Sequence, residues 1–132
     1  MNKLSKNFTE EEFLRSSTAA KHGVVNYWDN PQHKQNAIVL CKVILQPLRD
    51  KYGRLTITSG YRNFETNRLV GGWSNSKHLT GDAADFWPLD SDPEEIFKLL
   101  DLFWVGGLAI NRQAKFIHID KGTEPIKRRW TY

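Results

Sequence analysis

Two histidines and two aspartates lie in segments where their side chains could act on one ligand. His118 and Asp120 are separated by a single isoleucine, in a stretch that alternates as a β-strand does. Their side chains therefore share one face of the strand, about 7 Å apart along it. His78 comes before Gly81, which allows a sharp turn, and Asp85 follows on the next predicted strand. The spacing favours a fold in which His78 returns toward Asp85.

Two imidazoles and one carboxylate form a typical nitrogen and oxygen ligand set for zinc. Three protein ligands leave a fourth position for water, which is the arrangement of a catalytic zinc site. The residues alone leave a second interpretation open, in which His78 is an ordinary loop residue and His118 a sheet histidine with other partners. His22 and His33 lie in polar stretches, so we predict that both are surface residues, His33 without a partner.

The elements that must position these residues are predicted from apolar periodicity and turn signals. The sequence predicts four helices, over residues 8–15, 30–52, 65–70 and 92–103. It also predicts four strands, over residues 55–59, 83–87, 105–110 and 115–120. Residues 16–30 and 73–81 are predicted to be loops. This order indicates an α+β fold, a small mainly antiparallel sheet with helices packed on it.

Local signals mark the helix ends. Thr9 and Glu12 have the spacing of a capping box, and a proline directly follows Asn30 and also Asp92, as at the start of many helices. Pro47 interrupts the longest helical pattern, where we predict a kink or a short break.

Composition excludes several classes of protein. The chain has 132 residues, which predicts one domain over residues 1–132. Its one cysteine excludes an internal disulfide and a thiolate zinc cluster, and Cys41 lies in an apolar helical stripe, so we predict that it belongs to the core. No apolar run is long enough for a membrane span, and the first residues lack the apolar core of a signal peptide. We therefore expect no membrane insertion, and synthesis in a reducing cytoplasm.

The charge excess is modest. The net charge is +4, which allows contact with an anionic polymer without requiring it. The basic run at residues 127–129 is predicted to be a solvated tail, and the lack of a basic helix argues against specific nucleic-acid binding. Three aromatic residues, Tyr61, Trp73 and Trp87, flank the polar segments and would line a groove or join the core. We favour the core for Trp87.

Three segments resemble one enzyme family. The spacing of Ser76, His78, Gly81, Ala83 and Asp85 is similar to the SxHxxGxAxD motif of the zinc D-alanyl-D-alanine peptidases. This group includes the VanX dipeptidases and several phage endolysins, and it is related to the zinc fold of hedgehog signalling domains. Residues 59–62 resemble the SGYR segment of the family, and residues 116–120 resemble the segment that carries its last zinc ligand. The resemblance spans about residues 8–130.

The resemblance implies a role for each matching residue. His78, Asp85 and His118 would be the zinc ligands, Arg62 a cationic clamp on the substrate, and Ser76 a hydrogen-bonding group for it. The implied fold is that of the hedgehog and D-Ala-D-Ala peptidase group. The implied function is a metallopeptidase that uses Zn²⁺ to hydrolyse peptidoglycan stem peptides, as a D,D- or L,D-carboxypeptidase or endopeptidase. A phage endolysin of this type, acting as a monomer at the cell wall after release from the host cytoplasm, would fit.

The sequence departs from the family at the general base. Better-known members carry a Glu or Asp shortly before the last histidine, whereas Lys115 stands three residues before His118 here. The nearest carboxylate is Asp120, which would be either the general base or a partner that orients His118. The departure also leaves open an alternative function, a catalytically weak zinc-containing structural or wall-binding module of a phage.

Overall fold

A five-stranded sheet is the centre of the fold. We describe it from a computed structural model, which describes residues 2–122 and 126–132. The strands of this sheet are β3 (Leu55–Ser59), β4 (Ala83–Pro88), β5 (Gly106–Asn111), β6 (Phe116–Lys121) and β7 (Arg128–Thr131). Their order across the sheet is β3-β4-β6-β5-β7. All neighbours are antiparallel except β5 and β7, which are parallel. The predicted α+β class with a mainly antiparallel sheet is therefore confirmed.

The helices begin where the sequence signals place them. The capping box of Thr9 and Glu12 is present, and the side chains of Asn30 and Asp92 cap their helices. A small hairpin, β1 (Lys3–Ser5) with β2 (Phe8–Thr9), precedes the first helix. The α-helices are α1 (Glu10–Leu14), α2 (Ser17–Lys21), α3 (Pro31–Leu40), α4 (Gln46–Tyr52), α5 (Phe64–Leu69) and α6 (Pro93–Phe103).

The long helix continues past Pro47 because it contains a π-helical segment just before this residue. A π-helical segment, Cys41–Leu45, joins α3 to α4, and the Gln46 N–H donates to the Cys41 carbonyl. Pro47 has no N–H for the carbonyl of the preceding turn. A π-helical turn accommodates this loss within a continuous helix, because it changes which carbonyls are bonded. The kink predicted at this point takes the form of a π-bulge.

The two faces of the sheet differ in character. One face carries alternate apolar residues such as Phe86, Ile117 and Leu108, which are fully buried in the core with residues of α3, α4 and α6. Cys41 is also fully buried in this core, as predicted. The opposite face carries Asp85, His118 and Trp130 in one row across the sheet, with Ala109 between the last two, and we call it the site face.

The structure corrects four local predictions. Residues 16–30 are not all loop, because Ser16 caps α2. Trp87 is 45% exposed, because it lies on the site face and not on the core face. His33 is half-buried and its Nδ1 lies 2.8 Å from the Tyr61 hydroxyl, so the prediction that it lacks a partner is wrong. The predicted solvated tail is a strand over Arg128–Thr131.

None of the helices in residues 2–122 and 126–132 has the length and apolar character that a membrane span requires.

Candidate metal centre

The sheet and one short turn bring the three predicted ligands together. Asp85 on β4 stands opposite His118 on β6 in the antiparallel register. His78 lies in a 3-10 turn, Lys77–Thr80, which ends at Gly81 in the left-handed conformation with φ of 81°. A ligand atom from each of the three side chains lies within 4.8 Å of the others. The turn at Gly81 returns His78 to Asp85, as the sequence indicates.

Each imidazole has one nitrogen fixed by an acceptor outside the centre. Nδ1 of His78 donates to the Gly60 carbonyl at 2.6 Å, and Nε2 of His118 donates to Asp120 Oδ2 at 2.7 Å. The remaining nitrogens face the same oxygen, Asp85 Oδ1, at 3.5 Å from His78 and 2.6 Å from His118. Histidine ligands of metals are typically held through the other ring nitrogen in this way. The donor set therefore fits a zinc ion, with two imidazole lone pairs and one carboxylate converging.

Electrostatics in the metal-free centre favour a bound proton. Burial opposes charge on His118, but its hydrogen bonds and charge interactions with Asp120 and Asp85 raise its pKa to about 9. Burial likewise disfavours ionised Asp85, yet the charge of His78 and the hydrogen bond from His118 hold its pKa well below the usual range. A metal ion and a proton thus compete for the same His118 nitrogen.

Asp120 lies behind His118, on the side away from Asp85. Its buried carboxylate accepts from Nε2 of His118, from the Gly107 N–H at 3.1 Å, and from the guanidinium of Arg128. Burial raises the pKa of Asp120, but His118 and Arg128 outweigh it and the pKa is lowered. A Cβ at Gly107 would overlap this carboxylate, so the close approach requires glycine.

Arg62 and Ser76 stand beside the centre. The backbone N–H of Arg62 donates to the His78 carbonyl at 3.1 Å, and its Nη2 lies 3.4 Å from Ser76 Oγ. Ser76 Oγ also accepts from the His78 N–H at 3.2 Å, which begins the turn. Nε of Arg62 is buried and has no partner among residues 2–122 and 126–132. Burial lowers the pKa of Arg62, and the charge of Asp85 counteracts this effect.

Comparison with known families agrees with this geometry. A family model described as Peptidase M15 matches residues 6–120 of the chain. The chain belongs to the peptidase M15 family. M15 peptidases are zinc enzymes, and the set of His78, Asp85 and His118 fits such an ion. Comparison with curated proteins gives no match.

Two aromatic residues near the centre of this M15 peptidase were not predicted from the sequence. Trp130 on β7 pairs with Ala109, and its ring lies 5.2 Å from that of His118, between centroids. Tyr132 follows it on the same side of the chain. The alternation of Arg128, Trp130 and Tyr132 was the available signal, but the basic run obscured it. The match to the M15 model ends at residue 120, before these residues.

Tyr61 and Trp73, predicted to line a groove or join the core, take different positions. Tyr61 is 1% exposed and stacks at 4.6 Å on Trp28 in the interior, whereas Trp73 is 79% exposed. Of these two residues, Trp73 is therefore the one accessible to a ligand.

Proposed function

We propose that this M15 peptidase hydrolyses peptide bonds of peptidoglycan and uses a zinc ion held by His78, Asp85 and His118. The observation that carries the proposal is the convergence of two imidazole nitrogens on Asp85, each ring being held from behind. Such preorganisation is expected for a metal site, since it fixes the tautomer and the direction of each lone pair. When bound, zinc supplies Lewis-acid polarisation of the scissile carbonyl and activation of a water molecule.

Asp120 acts in this proposal by orienting His118. Its carboxylate holds Nε2 of His118 at 2.7 Å, whereas the nitrogen directed at Asp85 is Nδ1, on the other side of the ring. The carboxylate is also engaged by Gly107 and Arg128. A general base must reach the proton that it removes. The Asp120 carboxylate is buried, has three partners and lies behind the His118 imidazole. It is therefore better placed to fix this imidazole than to reach a water molecule at the centre.

Arg62 binds the substrate in this proposal. Its guanidinium interacts with the charge of Asp85, makes a long hydrogen bond to Ser76, and has a buried Nε without a partner among the described residues. Arginine has five N–H donors in a fork that fits a carboxylate or a developing oxyanion. Donors left unused in a half-buried position favour a bound anionic group. Ser76 contacts Nη2 of this guanidinium and also offers its hydroxyl to the same anionic group.

The peptidoglycan substrate and an endolysin role complete the proposal. They are supported by the sequence resemblance, with synthesis in a host cytoplasm and action at the wall after release. The net charge of +4 suits approach to an anionic wall polymer.

Digestion of purified peptidoglycan tests the proposal. We expect zinc-loaded protein to release new amino groups, and mass spectrometry of the muropeptides to identify the bond and the mode of cleavage. His78→Ala should abolish both zinc binding and release, whereas His22→Ala, which changes an exposed histidine next to α2, should alter neither. Stoichiometric zinc binding without release would contradict the proposal and favour a non-catalytic wall module.

A further inference from the structure

Strand β7 carries aromatic residues that form a wall on one side of the metal centre. It pairs in parallel with β5, and the register Ala109 to Trp130 places Trp130 in the same row across the sheet as Asp85 and His118. The Trp130 ring is half-buried and lies 5.2 Å from the His118 ring at an angle of 45°. Trp130 therefore covers the side of His118 that faces β7, next to the proposed ligand set.

Tyr132 extends this wall by one row. Its N–H donates to the Ile110 carbonyl at 3.3 Å, which continues the pairing with β5. Because side chains alternate along a strand, Tyr132 emerges on the site face, as Trp130 does. Its ring lies 5.2 Å from that of Phe116, while 63% of the residue remains exposed. The phenol ring thus packs on Phe116, and the residue remains accessible to a ligand.

The phenol lies within the electrostatic reach of the site. Burial raises the pKa of Tyr132 and so does the charge of Asp85, while a hydrogen bond from the Trp130 side chain and the charge of Arg62 act in the opposite direction. The pKa of Tyr132 is raised, so the hydroxyl keeps its proton at neutral pH and is a donor. No acceptor within residues 2–122 and 126–132 takes that proton in a hydrogen bond. Tyr132 and Arg62 thus each keep a donor without a partner among the described residues, and both interact with the charge of Asp85.

We propose that Tyr132 is a substrate-contacting residue, whose hydroxyl donates a hydrogen bond to a carbonyl oxygen of the peptide bound between it and Arg62. The inference rests on the proposed peptidase function and adds a substrate-contacting residue to it. An extended peptide fits this position because its backbone offers carbonyl acceptors, while Phe116 and Trp130 offer apolar surface to the side chains beside them. The contact is made by a strand that lies beyond the residues shared with the family model.

Tyr132→Phe isolates the hydroxyl and keeps the ring on Phe116. We expect kcat/KM on muropeptides to fall about three- to tenfold, which is the effect of one hydrogen bond between neutral groups. The affinity of the zinc-loaded protein for a phosphinate analogue of D-Ala-D-Ala should fall by a similar factor, because the oxygens of this probe are acceptors for the same hydroxyl. Zinc stoichiometry and melting temperature should stay unchanged. Tyr52→Phe is the matched control, because Tyr52 packs against the core at the end of α4.

Two measurements separate the inference from the proposed function. If the wild-type protein cleaves peptidoglycan and binds the phosphinate, and Tyr132→Phe does both within twofold of it, the inference alone is overturned. Loss of zinc in Tyr132→Phe also overturns it, since the residue would then support the metal centre and not the substrate. If the wild-type protein neither cleaves peptidoglycan nor binds the phosphinate, the proposed function fails and the inference with it.

Discussion

Replacement of Asp120 by asparagine tests how the centre is built. Asp120→Asn keeps the shape of the side chain and removes its charge. In the wild type the carboxylate holds His118 Nε2 at 2.7 Å, the Gly107 N–H at 3.1 Å and the Arg128 guanidinium. Oδ1 accepts from both Gly107 and Arg128 and Oδ2 accepts from His118, so the NH₂ group of an asparagine meets either the donors of Gly107 and Arg128 or the Nε2–H of His118. The direction of His118 is therefore less firmly fixed.

The expected loss follows from these contacts. A hydrogen bond to a charged group contributes about 1.5–3 kcal/mol. If the interaction that orients His118 is weakened by this free energy, the Kd for zinc rises about 10- to 150-fold. This range agrees with the effect of removing an outer partner of a metal ligand, typically about 10- to 100-fold.

Competition with a chromophoric zinc chelator measures the Kd directly. Asp101→Asn is a matched control, because Asp101 also pairs with an arginine of β7, Arg129, but on the exposed surface at 2.7 Å. We expect the control to bind zinc as the wild type does. If Asp120→Asn keeps the wild-type zinc affinity and loses kcat by about 10²-fold or more, Asp120 is the general base and the orienting role is refuted.

Three further changes probe the surroundings of the centre. Gly107→Ala places a methyl group against the Asp120 carboxylate, so we expect a loss of about 1–3 kcal/mol in stability together with weaker zinc binding, as measured by calorimetry; an unchanged protein would contradict the close approach. In the metal-free protein the pKa of His118 is raised to about 9, so its contribution to stability is full below about pH 6.5 and is lost as the pH rises through 9. The melting temperature should fall over this range, and a fall of equal size in His118→Gln would show that another group is responsible. Tyr61→Phe removes the hydroxyl that contacts His33 and accepts from the Asp29 N–H at 3.2 Å, so unfolding should become easier by about 1 kcal/mol, with zinc affinity unchanged. Equal stability of the two proteins would show that these bonds contribute nothing.

Local signals in the sequence were sufficient to predict most helices and four of the five strands of the sheet. The caps at Thr9, Asn30 and Asp92 depend on side chains that bond backbone groups two or three residues away, so they can be read without knowledge of the fold. Strand alternation and one glycine turn also predicted that His78 would return toward Asp85, and the three side chains do lie together. Their role as zinc ligands was implied by the family resemblance and stays a prediction.

The remaining features depend on distant contacts. Strand β7 forms only because β5 offers a free edge, and its arginines find carboxylate partners in Asp101 and Asp120, far away in the chain. A basic run without those partners is typical of a solvated tail. His33 likewise acquires its partner, Tyr61, from a residue 28 positions away. Neither contact is visible in composition or periodicity.

The buried thiol of Cys41 provides a built-in reporter of global opening. It is fully buried in the core, next to residues of α4 and the sheet, and burial raises its pKa. A thiol reagent needs an exposed thiolate, so labelling requires a transient unfolding that uncovers the helix. The chain has one cysteine, so the wild-type protein gives a single labelling rate and no other cysteine has to be replaced. The ratio of labelling rates with and without zinc therefore measures how far the ion protects the whole core, remote from the centre that binds it.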